Sequence, residues 1–140
     1  MGHPVRKVNR CVRALAFGLI AGLNALPTPA QVKAVSDQRH PDVVDVKVLA
    51  RGADRFDFDV TISSPYDSTR RYADAFRVMN ADGRVYGERG LLHDHAGEQP
   101  FTRELHGVSI PPAVRQVVVQ ARDRAYGYGG KTVGISLPGR

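Results

Sequence analysis

This 140-residue chain has one cysteine, Cys11, and no tryptophan. Cys11 falls in a segment read below as removed, so the rest of the chain has neither disulfide nor thiolate chemistry. Long apolar runs are missing too. The run ALAFGLIAGLNAL spans residues 14–26, short of the roughly 20 residues a membrane helix needs. Ser63, Ser64, Ser68, Ser109 and Ser136 lie in no G-x-S-x-G elbow, the setting of a hydrolase nucleophile. A carboxylate pair for glycoside hydrolysis needs a substrate cleft, which a small sandwich seldom provides. Catalysis is therefore not expected.

Unopposed positive charge is also scarce once the chain is divided. The whole sequence carries 20 basic and 14 acidic residues, a net charge of +6. Residues 1–13 hold Arg6, Lys7, Arg10 and Arg13 and no acid, followed by the apolar run and then PTPAQ. A basic stretch, a short apolar stretch and a small residue describe a secretory signal peptide. Cleavage is expected after Ala30, with a retained signal anchor as the alternative. Cys11 precedes the apolar run, whereas a lipid-carrying cysteine would follow it, and no Arg-Arg pair marks a twin-arginine signal. Without the first 30 residues the charge is 16 minus 14, or +2. The arginines alternate with aspartates, as in Arg122-Asp123-Arg124, and form no stripe for phosphate. A nucleic-acid partner is not expected.

What remains is one domain of modal size. Residues 31–41 are polar and aperiodic, a flexible leader; residues 42–140 form the domain. DVVDVKVLA sets Val44, Val46 and Val48 on one face. RFDFDVTIS alternates Phe56, Phe58, Val60 and Ile62 with Asp57, Asp59, Thr61 and Ser63. Alternation with period two marks a strand with one face in the core. RGAD, residues 51–54, supplies hairpin turn chemistry between the two. YADAFRVMN and RVYGERGLL follow, joined across Asn80-Ala81-Asp82-Gly83. FTRELHGVSI ends at Pro111-Pro112, where amide donors are lost. VRQVVVQAR and KTVGISL complete seven strands. Seven short strands with turns between them and no helical period predict an all-β, immunoglobulin-like two-sheet sandwich, with a small closed barrel as the alternative.

VSIPPAVRQVVVQARDRAYGYGG resembles the end of a fibronectin type III domain. An apolar-Pro corner (Ile110, Pro111) leads into an alternating strand (Val117, Val119, Ala121), then a loop with Gly127 and Gly129. The corner lacks that family's tyrosine, and no tryptophan serves the early core strand. The likeness implies an immunoglobulin-like architecture. Residues 72–137 also resemble a set of small secreted bacterial proteins of unassigned function. The shared pattern runs YADAFRV, DG, LLH-x-H, EQPFTR, V-x-IP, ARD and GYGGKTV. It implies export and brings no activity.

Three motifs invite chemistry. GYGGKT looks like a phosphate loop, but position 125 is Ala where that motif needs Gly, and Lys131-Thr132 opens a strand, not the helix that holds a phosphate. Its tyrosines, Tyr126 and Tyr128, are candidate contacts on a loop at residues 125–130, with Lys131 and Arg103 beside them in the candidate set. Ring packing on neighbouring strands is the structural reading. LLHDHAGEQPF places His93 and His95 two apart, so an extended backbone points both imidazoles one way. Such a pair suits Cu(II), Ni(II) or Zn(II), with Glu98, Asp94 or His106 as a third ligand. Solvated or backbone-bonded loop histidines are the structural reading. In EQPFTR, Pro100 fixes the approach to a strand, Phe101 is core, and Arg103 pairs with a carboxylate. Together these describe an exported binding module contacting an envelope protein, peptide or glycan through residues 92–100 and 125–130, with no cofactor. The alternative is periplasmic chelation of Cu, Ni or Zn.

Overall fold

The computed structural model describes residues 37–140. The expected signal segment, residues 1–30, and leader residues 31–36 lie outside the described residues. The described residues fall within one compact unit. Its seven strands are β1 (Asp42–Gly52), β2 (Arg55–Ser63), β3 (Ala73–Met79), β4 (Val85–Gly90), β5 (Phe101–Ser109), β6 (Gln116–Asp123) and β7 (Gly127–Ser136). They form two antiparallel sheets, β1-β2-β5 and β4-β3-β6-β7. The architecture is an all-β sandwich, as the alternation predicted.

The inner faces meet in one core. β2 contributes Phe56, Phe58, Val60 and Ile62, all buried, so its period-two reading holds at every position. β3 and β6 answer from the other sheet with Phe76, Val78, Val117 and Val119. Burying aromatic and branched side chains from both sheets is what holds the layers together, at about 1.5–3 kcal/mol per large side chain. Ala73, Ala75 and Ala121 are fully buried as well.

β1 departs from expectation. Val43 is buried and Val44 is exposed, whereas strict alternation put Val44 inward. The pairing with β2 shifts between Val43 and Asp45. This bulge inserts one residue and turns Val44 out to solvent. From Val46 the expected face returns.

The β1–β2 hairpin turns at Ala53-Asp54, both at positive φ (50° and 58°), with Gly52 at 80° beside them. Positive φ at both central residues is the type I′ turn, whose twist matches the flanking strands. Asp54 then accepts from Arg140 Nη2 at 2.6 Å, while the same guanidinium donates to the carbonyls of Ile110 and Val114. Arg140 thus ties the β1–β2 turn to the β5–β6 connection at this end of the sandwich.

At the opposite end, β7 begins at Gly127, earlier than KTVGISL suggested, so the β6–β7 loop shrinks to residues 124–126. The glycines serve a close approach. A Cβ on Gly129 would stand 2.5 Å from the His40 ring, and one on Gly130 would collide with the Pro41 carbonyl. Residues 38–41, counted in the leader on sequence, lie packed here, with Pro41 buried and His40 Nδ1 3.2 Å from the Gly127 carbonyl. These glycines thus make a passage for the incoming strap.

Two outcomes follow for stability, measured by urea unfolding of residues 32–140. Val43→Ala lowers stability by about 1–3 kcal/mol, and Val44→Ala changes it by less than about 0.5 kcal/mol. Equal effects would remove the bulge. Gly130→Ala costs about 2 kcal/mol or more, since it adds a positive-φ penalty to a backbone collision. It also speeds proteolysis after Arg39.

Candidate functional site at the loop end

Antiparallel pairing brings four segments to one end: the strap 37–41, the β2–β3 loop (64–72), the β4–β5 loop (91–100) and the β6–β7 turn (124–126). Both loops expected to carry contacts are therefore neighbours. Their shape is set from beneath by buried polar groups.

Asp67, in the β2–β3 loop, accepts the Ala73 amide on one oxygen and the His95 amide on the other, each at 3.0 Å. It joins the β2–β3 and β4–β5 loops through backbone. Gln99 reinforces the joint: its oxygen accepts the Ser64 amide at 2.7 Å, and its nitrogen donates to Ser64 Oγ and the His95 carbonyl. A carboxylate receiving two amide hydrogens has its buried oxygens satisfied.

Asp123 does the same on the other side. Its side chain is fully buried and closes the β6–β7 turn by accepting the Ala125 and Tyr126 amides at 2.8 and 2.9 Å. It pairs with Arg71 Nε at 3.1 Å, and Arg71 Nη2 donates to the Gln38 and Arg39 carbonyls at 2.8 and 2.7 Å. The Arg71 guanidinium also lies 4.0 Å from the Tyr66 ring and 4.8 Å from the Tyr126 ring. One side chain therefore ties the strap to two loops. The Tyr66 hydroxyl lies beside Asp123 without reaching hydrogen-bond geometry; burial first, and then Asp123, push it well above the usual tyrosine range.

The sequence candidates separate. Tyr126 stands at the loop end, 54% exposed, with Arg39 5.8 Å from its ring. Tyr128 lies on the outer face of the four-stranded sheet, 3.8 Å from the Arg77 guanidinium, and donates to Glu88 at 2.6 Å. Burial, then Glu88, push its hydroxyl up. Lys131 is exposed, and its amide donates to Asp42 at 2.8 Å, which ties β7 to β1. Arg103 pairs with Glu98 at 2.7 Å, as EQPFTR suggested, and Phe101 is buried.

The four expected metal ligands are not brought together. His93 and His95 are neighbours, their ring centroids 4.8 Å apart. His95 is buried and stacks on Phe101 at 3.9 Å; its Nδ1 faces Asp67 at 3.9 Å without a hydrogen bond. His93 is exposed and bonds the Asp94 carbonyl through Nδ1. Glu98 turns to Arg103, which holds its carboxyl below the usual range. His106 was expected to fold back to the pair. It sits five residues along β5 from Phe101, about 16 Å at strand rise, with Nδ1 3.2 Å from Asp57. Asp57 also takes the Gly107 amide and Arg51, which hold it down at about 2. Among the described residues no group of three or more His, Cys, Asp or Glu has the geometry to hold a metal ion.

Asp67, Arg71, Asp123 and Gln99 escaped sequence reading. An aspartate just before a short turn is an Asx-turn signal, and that could have found Asp123. Asp67 and Arg71 have partners 28 and 52 residues away and leave no local trace.

Burial, with Arg103 and His93 nearby, lowers the His95 pKa below its ordinary 6.5. Folding thus favours the neutral ring. Its contribution to stability is full above pH 6.5 and falls as pH drops below that value toward the lower folded pKa. Urea midpoints should decline over this window, and His95→Phe should flatten that decline. An unchanged slope would show that the ring titrates normally.

No family profile matches the chain, and no solved structure matches it. The chain is similar to a protein of Halomicrobium mukohataei described as "Putative lipoprotein", at 36% identity over 97 residues. The match covers 69% of this chain and 47% of that relative, so the chain spans about half the relative's length.

Proposed function

We propose that this chain is an exported binding module with a fibronectin type III-like sandwich, which meets its partner through the loop end. The carrying observation is the convergence of four segments at one end, stitched beneath by Asp67, Asp123 and Arg71, with Tyr126 and Leu92 left exposed. The buried carboxylates at this end, Asp67 and Asp123, hold backbone amides, a pattern that suits recognition better than proton transfer. The strand order supports the fold comparison: the fourth strand pairs with the third on the four-stranded sheet, leaving β1-β2-β5 as the other layer.

Export rests on the basic and apolar pattern of residues 1–30 and on the description of the Halomicrobium relative as a lipoprotein. Lipid attachment does not carry across: the lone cysteine, Cys11, precedes the apolar run. A second reading, chelation of Cu(II), Ni(II) or Zn(II), is favoured by the 4.8 Å spacing of the His93 and His95 rings. Calorimetric titration of residues 32–140, repeated with His93→Ala/His95→Ala, tests it; no heat above buffer in the wild type removes it.

For the binding reading, residues 32–140 are immobilised and exposed to a detergent-solubilised native envelope fraction. Tyr126→Ala and Leu92→Ala reduce capture while leaving the melting temperature nearly unchanged. Tyr128→Ala does the reverse: it lowers stability by about 1 kcal/mol through the lost Arg77 stack and Glu88 bond and spares capture. Capture indifferent to Tyr126 and Leu92 would place the contact elsewhere.

A further inference from the structure

We infer that the surface presented by the loop end docks on an anionic lipid bilayer; this rests on the loop end being the binding surface, and names its partner. Leu92 at 90% and Tyr126 at 54% are the two most exposed large apolar side chains among the described residues. Both stand at this one end. The link between them is short: Tyr72 Oη donates to the Leu92 carbonyl at 3.4 Å and receives Arg124 Nη1 at 3.3 Å, and Tyr126 is two residues on in the same turn.

Around these two side chains the exposed charge is mostly positive. Arg39, Arg70 and Arg124 are exposed, and none has a carboxylate partner among the described residues. The acids nearby are engaged. Asp67 and Asp123 are buried and bonded, Glu98 holds Arg103, and Asp94 accepts the Ala96 amide. Asp37 stays exposed. An aliphatic tip, a tyrosine with its polar hydroxyl and a ring of arginines match the layers of a bilayer interface. There leucine reaches the acyl boundary, tyrosine sits at headgroup depth and guanidinium meets phosphate.

Two clefts of the sandwich lie away from this end: one of about 400 Å³, lined by Asp54, Arg84, Tyr86 and Pro111 at the opposite end, and one of about 140 Å³, lined by Lys47, Leu49, Asp57 and His106 on an outer sheet face. The polypeptide that precedes the fold also joins it at this end, because Arg71 holds the carbonyls of Gln38 and Arg39.

The test is co-sedimentation of residues 32–140, which contain the whole core and all seven strands, with two kinds of vesicle. Phosphatidylcholine vesicles leave the protein in solution, and phosphatidylcholine–phosphatidylglycerol vesicles pellet it, less so as salt rises. Arg39→Gln, Arg70→Gln and Arg124→Gln each weaken partitioning on the order of fivefold, while Arg84→Gln and Arg115→Gln at the far end do not. Because the chain has no tryptophan, Leu92→Trp reports its own depth: emission shifts to the blue on acidic vesicles. No binding to acidic vesicles overturns the lipid assignment, as does sedimentation with unshifted emission. If vesicles fail yet envelope capture still depends on Tyr126 and Leu92, the partner is a protein and the loop-end reading stands. If neither assay senses those residues, the loop-end reading falls too.

Discussion

Two charges under the loop end determine how much of this molecule can be organised. Asp123 is fully buried and Arg71 half-buried, 3.1 Å apart. Such a pair adds little net stability over an apolar substitute, because desolvation offsets attraction. Its effect is geometric. A buried carboxylate must be satisfied, and the groups that satisfy Asp123 are the amides of Ala125 and Tyr126 and the Arg71 guanidinium. Arg71 in turn must fill its remaining donors, and it does so with the Gln38 and Arg39 carbonyls. The strap, the β2–β3 loop and the β6–β7 turn acquire one relative arrangement because only that arrangement leaves no charge stranded. The core of valines and phenylalanines holds the sheets together but does not discriminate among loop shapes.

The same logic explains which features were legible in the sequence. β2 was read at every position because a strand between two partners, with one face in the core, must alternate. β1 is an edge strand, paired only with β2. It tolerates a bulge, and one extra residue at Val44 was enough to move that valine out of the core. Alternation carries no mark for a bulge. The start of β7 was missed for a related reason. Tyr128, Gly129 and Gly130 read as turn material, yet Tyr128 and Gly129 pair with β6 and Gly130 continues the strand, and both glycines are demanded by the strap that crosses them. A glycine chosen for close approach and one chosen for a turn look alike in a sequence.

The candidate site was partly legible. The loops at residues 91–100 and 124–126 lie at one end of the sandwich because the pairing of neighbouring strands brings them there. Tyr126 and Tyr128 sit two apart and invited a single role, but the strand begins between them at Gly127. Tyr126 belongs to the turn and Tyr128 to a sheet face, where Arg77 and Glu88 hold it. His93 and His95 likewise sit two apart, and here the extended-chain argument did bring the rings together. It did not foresee that Asp67 would capture the His95 backbone and lay that ring on Phe101. His106 looked close because its connection is short, but strand rise outruns sequence separation.

A stitched loop end has a consequence for recognition. Loops ordered before contact lose less entropy when they bind, so weak individual contacts can sum to useful affinity. That would matter for the proposed contact, which offers two exposed apolar side chains. Its grip must come from several groups held at fixed spacing, and the spacing of Leu92, Arg124 and Tyr126 is set through Tyr72 and Asp123. The buried polar residues, invisible to a search for active chemistry, are therefore the ones that make the exposed side chains act as one surface.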